Sequence, residues 1–135
     1  SPIIETILLT TENNLALFLE LQLRALCTYL CLYPRWLSSS LLNIDPNLSG
    51  QHRILTICQQ LDSSHYINLP GGIHLYSPSL FKSANIQLSF IQPKTQAYHQ
   101  FNSSFVPNLS IIDTMMFNSS ADILAMLDQY YLLTA

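Results

Sequence analysis

The stretch GQHRILTICQQLDSSHYINLPGGIHLYSPSLFKSANIQLSFI, residues 50–91, decides the fold that this sequence predicts. Its first part carries apolar residues at helical spacing behind Ser49, a residue type that favours a helix N-terminus. This pattern predicts a helix over residues 50–61. HYINL, residues 65–69, is typical of a short strand, and Pro-Gly-Gly at residues 70–72 ends it in a sharp turn. Helix, loop and strand in this order are half of an α/β unit.

The second part of the stretch repeats this design. Ser77 predicts the cap of a further helix with Pro78 in its first turn, and residues 86–91 predict the strand after it. Further back, RWLSSSLL at residues 35–42 predicts another extended segment. Strands that alternate with helices favour parallel pairing through right-handed crossovers. The sequence therefore predicts an α/β fold, a small three-layer arrangement with a short, mainly parallel sheet of about three strands and flanking helices.

The segment before this stretch, residues 13–32, is apolar on nearly every side and predicts a helix capped by Thr10 or Thr11. Glu20 and Arg24 are spaced for an i,i+4 ion pair in its middle, which favours a buried helix over a membrane span. We expect such a helix to be covered, either by a second copy of the chain or by an amino-terminal half that this sequence lacks.

Residues 92–108, QPKTQAYHQFNSSFVPN, are polar and aromatic and have no helical or strand periodicity. This connection is longer than most in a compact domain, and long loops often bind ligands. Beyond it, residues 110–117 and 121–131 carry apolar residues at helical spacing and predict two closing helices.

Composition narrows the class of protein. The 135 residues are 49% hydrophobic and 10% charged, which predicts one globular domain, and the net charge of −3 argues against binding to nucleic acid or to an anionic membrane. Cys27, Cys31 and Cys58 stand in apolar surroundings, and their odd number favours a reducing cytoplasm over a disulfide framework. Their spacing is not that of a zinc site, so we expect buried thiols, no metal and no cofactor.

Ligands of parallel α/β sheets bind beyond the carboxyl ends of the strands, and polar residues cluster at those predicted ends. The candidate ligand-binding residues there are Ser39, Ser40, Asn68, Gly71, Gly72, His74, Tyr76 and Asn108. On an extended backbone, His74 and Tyr76 would point to the same side and share one ligand. The alternative interpretation is a plain turn at the glycines, a surface histidine and a packing tyrosine.

His52 and Arg53 fall in the first turn of the helix at residues 50–61, where backbone N–H groups already attract anions. They are candidate ligands of a phosphate or a carboxylate, and the alternative is two solvated side chains. No motif assigns a catalytic residue. The serines at 38–40 lack the Gly-x-Ser-x-Gly motif of a nucleophile elbow, and Asp113 stands in a capping-box-like position at a helix start, which favours a structural role.

Three strings of this sequence together resemble one known family. HRILTICQQLDSSHYINLPGGIHLY (52–76), LFKSANIQLSFIQP (80–93) and FVPNLSIIDTMMFNS (105–119) are similar, in order and spacing, to the carboxyl-terminal half of the WbqC-like protein family. The resemblance covers residues 35–127 approximately and leaves the first helix without a distinctive match. It implies that the chain, taken as the single domain 1–135, is the carboxyl-terminal part of a longer protein.

The resemblance implies a bacterial, cytoplasmic protein in the synthesis of O-antigen or other surface polysaccharides. It also implies a nucleotide-linked sugar or amino sugar as ligand and, for some members, transfer of an acyl or aminoacyl group, which would make the protein a transferase. The family-like polar residues, none with a firm catalytic role to inherit, are Ser39, Ser40, His52, Arg53, Tyr66, Gly71, Gly72, Tyr76, Pro107, Asn108, Ser110 and Asp113. The alternative is a non-catalytic protein-interaction module or an inactive fragment.

Overall fold

The computed structural model describes residues 3, 5, 7, 9–101 and 104–135. The chain forms two compact units, the first from the described residues up to Arg35 with those of 95–129, the second from residues 36–94 and 130–135. The helices are α1 (Leu15–Tyr29), α2 (Gly50–Gln60), α3 (Pro78–Ser83), α4 (Ile111–Phe117) and α5 (Ser120–Leu127). The strands are β1 (His65–Asn68), β2 (Gln87–Pro93) and β3 (Tyr130–Thr134), and short 3₁₀ helices occupy Ser39–Leu41 and Pro70–Leu75.

The sheet belongs to the second unit and has the strand order β1-β2-β3. β1 is parallel to β2, with Asn68 opposite Phe90, whereas β3 is antiparallel to β2, with Leu133 opposite Phe90. The order α2, β1, α3, β2 is the one that residues 50–91 predicted. The α/β class with a three-stranded sheet and flanking helices is therefore confirmed, and the sheet is mixed.

The core of this unit combines apolar side chains of α2, α3 and β2. Its buried members are Leu55, Cys58, Phe81, Ile86, Leu88 and Phe90. On β2, Leu88 and Phe90 alternate with Ser89, and the period of two along a strand places both apolar side chains on one face. Side chains of both helices therefore share one core with Leu88 and Phe90, in which Phe81 of α3 is fully buried.

The prediction of a strand at residues 35–42 was wrong. This segment contains a 3₁₀ helix, Ser39–Leu41, and Leu41 is 86% exposed. The hydroxyls of Ser38 and Ser40 hydrogen-bond each other at 2.8 Å. Serine hydroxyls offer a local alternative to strand pairing, and the exposed leucine provides no burial that would favour a strand.

The last strand of the sheet comes instead from the carboxyl-terminal residues. The sequence predicted a helix over 121–131, but α5 ends at Leu127 and residues 130–134 pair with β2 as β3. Tyr130 and Tyr131 favour strands, and the hydrogen bonds of the β2 edge give them partners that helical periodicity does not reveal. The end of the predicted helix was therefore wrong, whereas its first two turns form as expected.

The first unit contains α1, α4 and α5 around a core of Leu30, Met115 and Ile123. The predicted ion pair of α1 is confirmed, with Arg24 Nη2 2.7 Å from Glu20 Oε1. The cap is Asn14 and not a threonine, because its side chain accepts the N–H groups of residues 16 and 17.

The apolar surface of α1 is largely open. None of its residues is buried, and five of its leucines are 48–70% exposed, namely Leu15, Leu17, Leu19, Leu21 and Leu23. The described residues of its own unit thus do not supply the covering that the sequence led us to expect. None of the described helices is both long and apolar enough to cross a membrane.

The three cysteines are free and differ in exposure. Cys58 is buried in the core of the second unit, Cys27 is half-buried and Cys31 is exposed. The expectation of three buried thiols was therefore wrong for Cys31. It follows the end of α1 in a left-handed conformation, with φ of 54°, and this conformation ends the helix. Within the described residues, no three His, Cys, Asp or Glu side chains are grouped as a metal site requires.

Candidate functional site

A cavity of about 390 Å³ lies beside the first turn of α2 in the second unit. It is lined by Gly50, Gln51, Arg53, Ile54, Leu75 and Tyr76. Its volume falls within the range of small-molecule sites, about 300–1,000 Å³. Two of the lining residues, Arg53 and Tyr76, are ligand-binding candidates of the sequence, and we therefore treat this cavity as the candidate site.

The backbone around α2 shapes the cavity. Gly50 begins the helix with φ of 52°, a left-handed conformation that favours glycine. Gln51 Oε1 accepts the backbone N–H of Ser77 at 2.8 Å, which ties the start of α2 to the start of α3. Ser49 stands at the N-cap as predicted, but its side chain makes no capping hydrogen bond. The cavity therefore adjoins a helix start whose first backbone donors have no side-chain acceptor.

Arg53 provides the positive charge of the cavity. Its side chain is half-buried, and no carboxylate among the described residues lies within ion-pair distance of it. Within the described part of the chain, its guanidinium makes one long hydrogen bond of 3.5 Å, in which Nη2 donates to the backbone oxygen of Ser39. A guanidinium in this situation keeps most of its N–H donors free for an anion, which it can bind with two parallel hydrogen bonds.

Tyr76 also lines the cavity, and its hydroxyl is fixed by two neighbours. Asn68 Nδ2 donates to Tyr76 Oη at 2.8 Å, and the hydroxyls of Tyr66 and Tyr76 are 3.2 Å apart. The rings of Tyr66 and Phe81 contact the Tyr76 ring at centroid distances of 5.6 and 5.8 Å. Asn68 is the last residue of β1, so the cavity adjoins the carboxyl end of a parallel strand, where the sequence predicted a ligand.

The segment after β1 differs from the predicted turn. Pro70–Leu75 is a 3₁₀ helix, so the extended backbone assumed for His74 and Tyr76 was wrong. In a 3₁₀ helix, residues two apart point to different sides. His74 is accordingly exposed, whereas Tyr76 is half-buried with its hydroxyl bonded inside the unit. The two side chains thus do not converge as that argument required.

Of the two glycines in this 3₁₀ helix, only Gly72 is closely packed. A Cβ at Gly72 would lie 3.1 Å from Asn68 Nδ2 and 3.3 Å from Tyr76 Cε2, whereas one at Gly71 would meet no atom within 4 Å. We expect Gly72→Ala to lower the free energy of unfolding by about 1 kcal/mol through overpacking. Gly71→Ala, the matched control, should change it by less than about 0.5 kcal/mol. Urea unfolding of both variants tests this, and equal stabilities would contradict the packing role of Gly72.

Burial raises the pKa of Tyr66 well above its usual value, and the hydrogen bond with Tyr76 raises it further. Burial likewise raises the pKa of the Cys58 thiol. Tyrosine in the unfolded chain releases its proton near pH 10, while folded Tyr66 still holds its own. The unfolded state is then favoured as pH rises, so the stability that Tyr66 contributes is fully present below about pH 10 and is lost as pH rises above it.

We therefore expect Tyr66→Phe to weaken the fall of stability above about pH 10, since it removes one group with a raised pKa. Tyr33→Phe is the control, because Tyr33 is 84% exposed. Urea midpoints measured from neutral pH to pH 11 give the comparison, taken relative to each variant's stability at neutral pH. Parallel pH profiles for wild type and Tyr66→Phe would show that Tyr66 does not contribute to alkaline unfolding.

The other predicted ligand-binding residues are dispersed. Ser39, Ser40 and His52 are exposed in the second unit, and the backbone oxygen of Ser39 accepts the long hydrogen bond from Arg53. Asn108 lies in the first unit, in a left-handed conformation with φ of 60°. Asn102 and Ser103 of the predicted binding loop lie outside the described residues.

The predicted loop contains a polar cluster that sequence reasoning missed. Asp113 Oδ2 accepts the Tyr98 hydroxyl at 2.6 Å and Gln100 Nε2 at 3.0 Å. Gln100, only 7% exposed, also bonds both backbone groups of Val106. Asp113 therefore helps to hold the loop against α4. This role is structural, as its position at the helix start indicated, but it depends on contacts with Tyr98 and Gln100 and not on a capping box. A contact between Gln100 and Asp113, thirteen residues apart, leaves no periodic signal in the sequence that could have revealed it.

Sequence reasoning also missed a serine–histidine pair. Ser89 Oγ lies 2.9 Å from His65 Nε2, but Ser89 has no exposed surface and therefore cannot reach a substrate. A further cavity, of about 410 Å³, lies at the amino end of β2 and includes Lys82, which the sequence did not single out. Lys82 has no ion-pair partner among the residues described, and it offers a control for Arg53.

The fold and the cavity together define a small α/β protein with a cationic, small-molecule-sized cavity at the end of a parallel strand. The family model for WbqC-like proteins matches residues 1–125, and the chain belongs to the WbqC-like protein family. Since this match includes the first helix, the expectation that only a carboxyl-terminal half is family-like is corrected. Neither the curated proteins nor the solved structures yielded a significant match.

Proposed function

We propose that this protein binds a nucleotide-linked amino sugar during the synthesis of bacterial surface polysaccharides of the O-antigen type, in the cytoplasm. The observation that carries the proposal is Arg53, a half-buried guanidinium in a cavity of about 390 Å³ with no carboxylate partner within the described chain. Such a guanidinium suits a phosphate group, because two phosphate oxygens match the spacing of two N–H donors.

Family membership supports a role in polysaccharide synthesis, and the cavity supports a phosphorylated ligand. We extend the proposal to group transfer from an activated acyl or aminoacyl ester or thioester. The amine of the bound sugar attacks the donor carbonyl, an amide C–N bond forms, the donor C–O or C–S bond breaks, and the alcohol or thiol leaves with the proton of the amine. No residue is assigned to this chemistry. In the proposal, Arg53 and Tyr76 line the site, Asn68 and Gly72 hold Tyr76 in place, and Ser39, Ser40, His52, Gly71, His74 and Asn108 remain candidates for contacts with the rest of the ligand.

The direct test is calorimetry with a panel of UDP-, GDP- and dTDP-linked amino sugars. We expect one member to bind and Arg53→Gln to weaken that binding at least about tenfold, because the phosphate loses a charged, two-bond contact. Lys82→Gln removes the same charge from the other cavity and should leave the affinity unchanged. Equal losses in both variants would indicate a general effect of charge, and binding that Arg53→Gln does not change would remove this cavity from the proposal.

The second candidate function is a non-catalytic interaction module. It is favoured by the exposed leucines of α1 and by β3, of which every residue is exposed. The two functions differ in thermal protection. A small ligand at one hundred times its dissociation constant stabilises the isolated protein by about 2.7 kcal/mol. A protein partner would stabilise the chain only within a complex, which size-exclusion chromatography detects.

A further inference from the structure

We infer that the Arg53 cavity receives the nucleotide part of the ligand, its phosphates and its base, and that the sugar remains outside. This inference rests on the proposed function and specifies which end of the ligand enters. It follows from the hydrogen-bonding groups that the lining side chains have free, and from the apolar surface beside them.

Most of the free polar groups of the lining side chains are donors. Gln51 Oε1 already accepts the backbone N–H of Ser77, which leaves this side chain two amide N–H donors and one lone pair for a ligand. The Tyr76 hydroxyl accepts from Asn68 and is shared with Tyr66. Arg53 has donors only. No acidic side chain lines the cavity.

This set of groups suits acceptor-rich ligand parts better than a polyhydroxylated amino sugar. Each buried sugar hydroxyl also needs an acceptor for its own proton, and no carboxylate lines the cavity to accept several such protons. Phosphate oxygens are acceptors only, and pyrimidine and guanine bases carry carbonyl oxygens. The charge and donors of Arg53 and Gln51 therefore complement a diphosphate.

The rest of the lining suits a flat, weakly polar ring. Ile54, Leu75 and the ring of Tyr76 form the apolar part of the wall. Leu75 is 68% exposed, so a ligand that covers it removes apolar surface from water. A nucleobase has two apolar faces for such a contact, whereas a polyhydroxylated sugar has few. We therefore place the base against Leu75 and the phosphates against Arg53.

The test compares ligand fragments on the intact chain by calorimetry. The probes are the nucleotide-linked amino sugar of the panel that binds best, its nucleoside diphosphate, free glucosamine and inorganic pyrophosphate. We expect the nucleoside diphosphate to bind within about threefold of the sugar-linked form and glucosamine not to bind. Arg53→Gln should weaken the binding of the nucleoside diphosphate and of pyrophosphate by the same factor.

Leu75→Ser examines the position of the base. It should lower the affinity for the nucleoside diphosphate at least about fivefold. The affinity for pyrophosphate should be unchanged, because pyrophosphate has no ring that contacts Leu75. Leu69→Ser is the matched control, since Leu69 is 64% exposed, precedes the same 3₁₀ helix and does not line the cavity. It should leave both affinities unchanged.

The results separate this inference from the proposed function. If the sugar-linked form binds through Arg53 but its nucleoside diphosphate binds at least about tenfold more weakly, the sugar enters the cavity and the inference is wrong while the proposed function stands. Binding of free glucosamine, or a Leu75→Ser variant with unchanged nucleotide affinity, also overturns the inference. If no member of the panel and no fragment binds through Arg53, both the inference and the proposed function are rejected.

Discussion

Phe81→Ala is expected to lower the free energy of unfolding by about 3–5 kcal/mol, the usual cost of removing a fully buried phenyl ring. Phe81 has no exposed surface and lies in the core between α2, α3 and β2. Its ring also contacts those of Tyr66 and Tyr76, at centroid distances of 5.7 and 5.8 Å. The cavity left by its removal would therefore loosen the wall of the candidate site as well as the core.

Urea unfolding followed by the fluorescence of Trp36, the single tryptophan, measures this loss in the unit that contains Phe81. Leu41→Ala serves as the control in the same unit, because Leu41 is 86% exposed and its truncation should change stability by less than about 0.5 kcal/mol. A Phe81→Ala variant as stable as Leu41→Ala would show that the packing described for this core is wrong.

Asp113→Ala is expected to lower stability by about 3 kcal/mol, since hydrogen bonds to a charged group contribute about 1.5–3 kcal/mol each. The substitution removes the acceptor of the Tyr98 hydroxyl and of Gln100 Nε2. Gln100 is 7% exposed, so its amide would lose a partner that water cannot easily replace. The loop that follows β2 would thereby lose its two hydrogen bonds to Asp113 and keep the weaker contact of Tyr98 Oη with Thr114 Oγ1 at 3.3 Å and the ring contact of Phe101 with Phe117.

Asp113→Asn retains one acceptor oxygen and should therefore cost less than Asp113→Ala. Asp128→Ala is the control for the removal of an acidic side chain, because Asp128 is exposed at the end of α5. Thermal unfolding followed by far-ultraviolet circular dichroism reports on the helices of this unit. Equal midpoints for Asp113→Ala and Asp128→Ala would contradict the proposed attachment of the loop.

The central part of the fold follows from local sequence signals. Three local signals agree with the observed elements α2, β1 and α3. They are the helical periodicity before residue 61, the strand-favouring residues at 65–69 and the N-cap at Ser77, and each acts over a few neighbouring residues. The signals at 35–42 and 121–131 were misleading, since short apolar segments are compatible with more than one structure. Pairing with β2, a contact over about forty residues in sequence, selected the strand at 130–134.

The candidate site was predictable in part. Arg53 and the carboxyl end of β1 could be nominated from their positions in a helix start and a parallel strand. The sequence did not identify Gln51, Ile54 and Leu75 as residues of the site. It does not show that the backbone N–H of Ser77 donates to Gln51 Oε1, or that residues 70–75 form a 3₁₀ helix. This 3₁₀ helix directs His74 and Tyr76 to different sides and places Leu75 at the cavity.

The sequence by itself determined the α/β class, the order of helices and strands over residues 50–91, the Glu20–Arg24 ion pair and family-like strings over most of the chain. These properties depend on the spacing of residues and on their local conformational propensities, which the sequence shows directly. The tertiary structure alone decided which segment completes the sheet, which glycine is packed, and which donors face the cavity. Those outcomes depend on competition among distant segments for the same hydrogen bonds and the same buried space, and no short stretch of sequence contains that information.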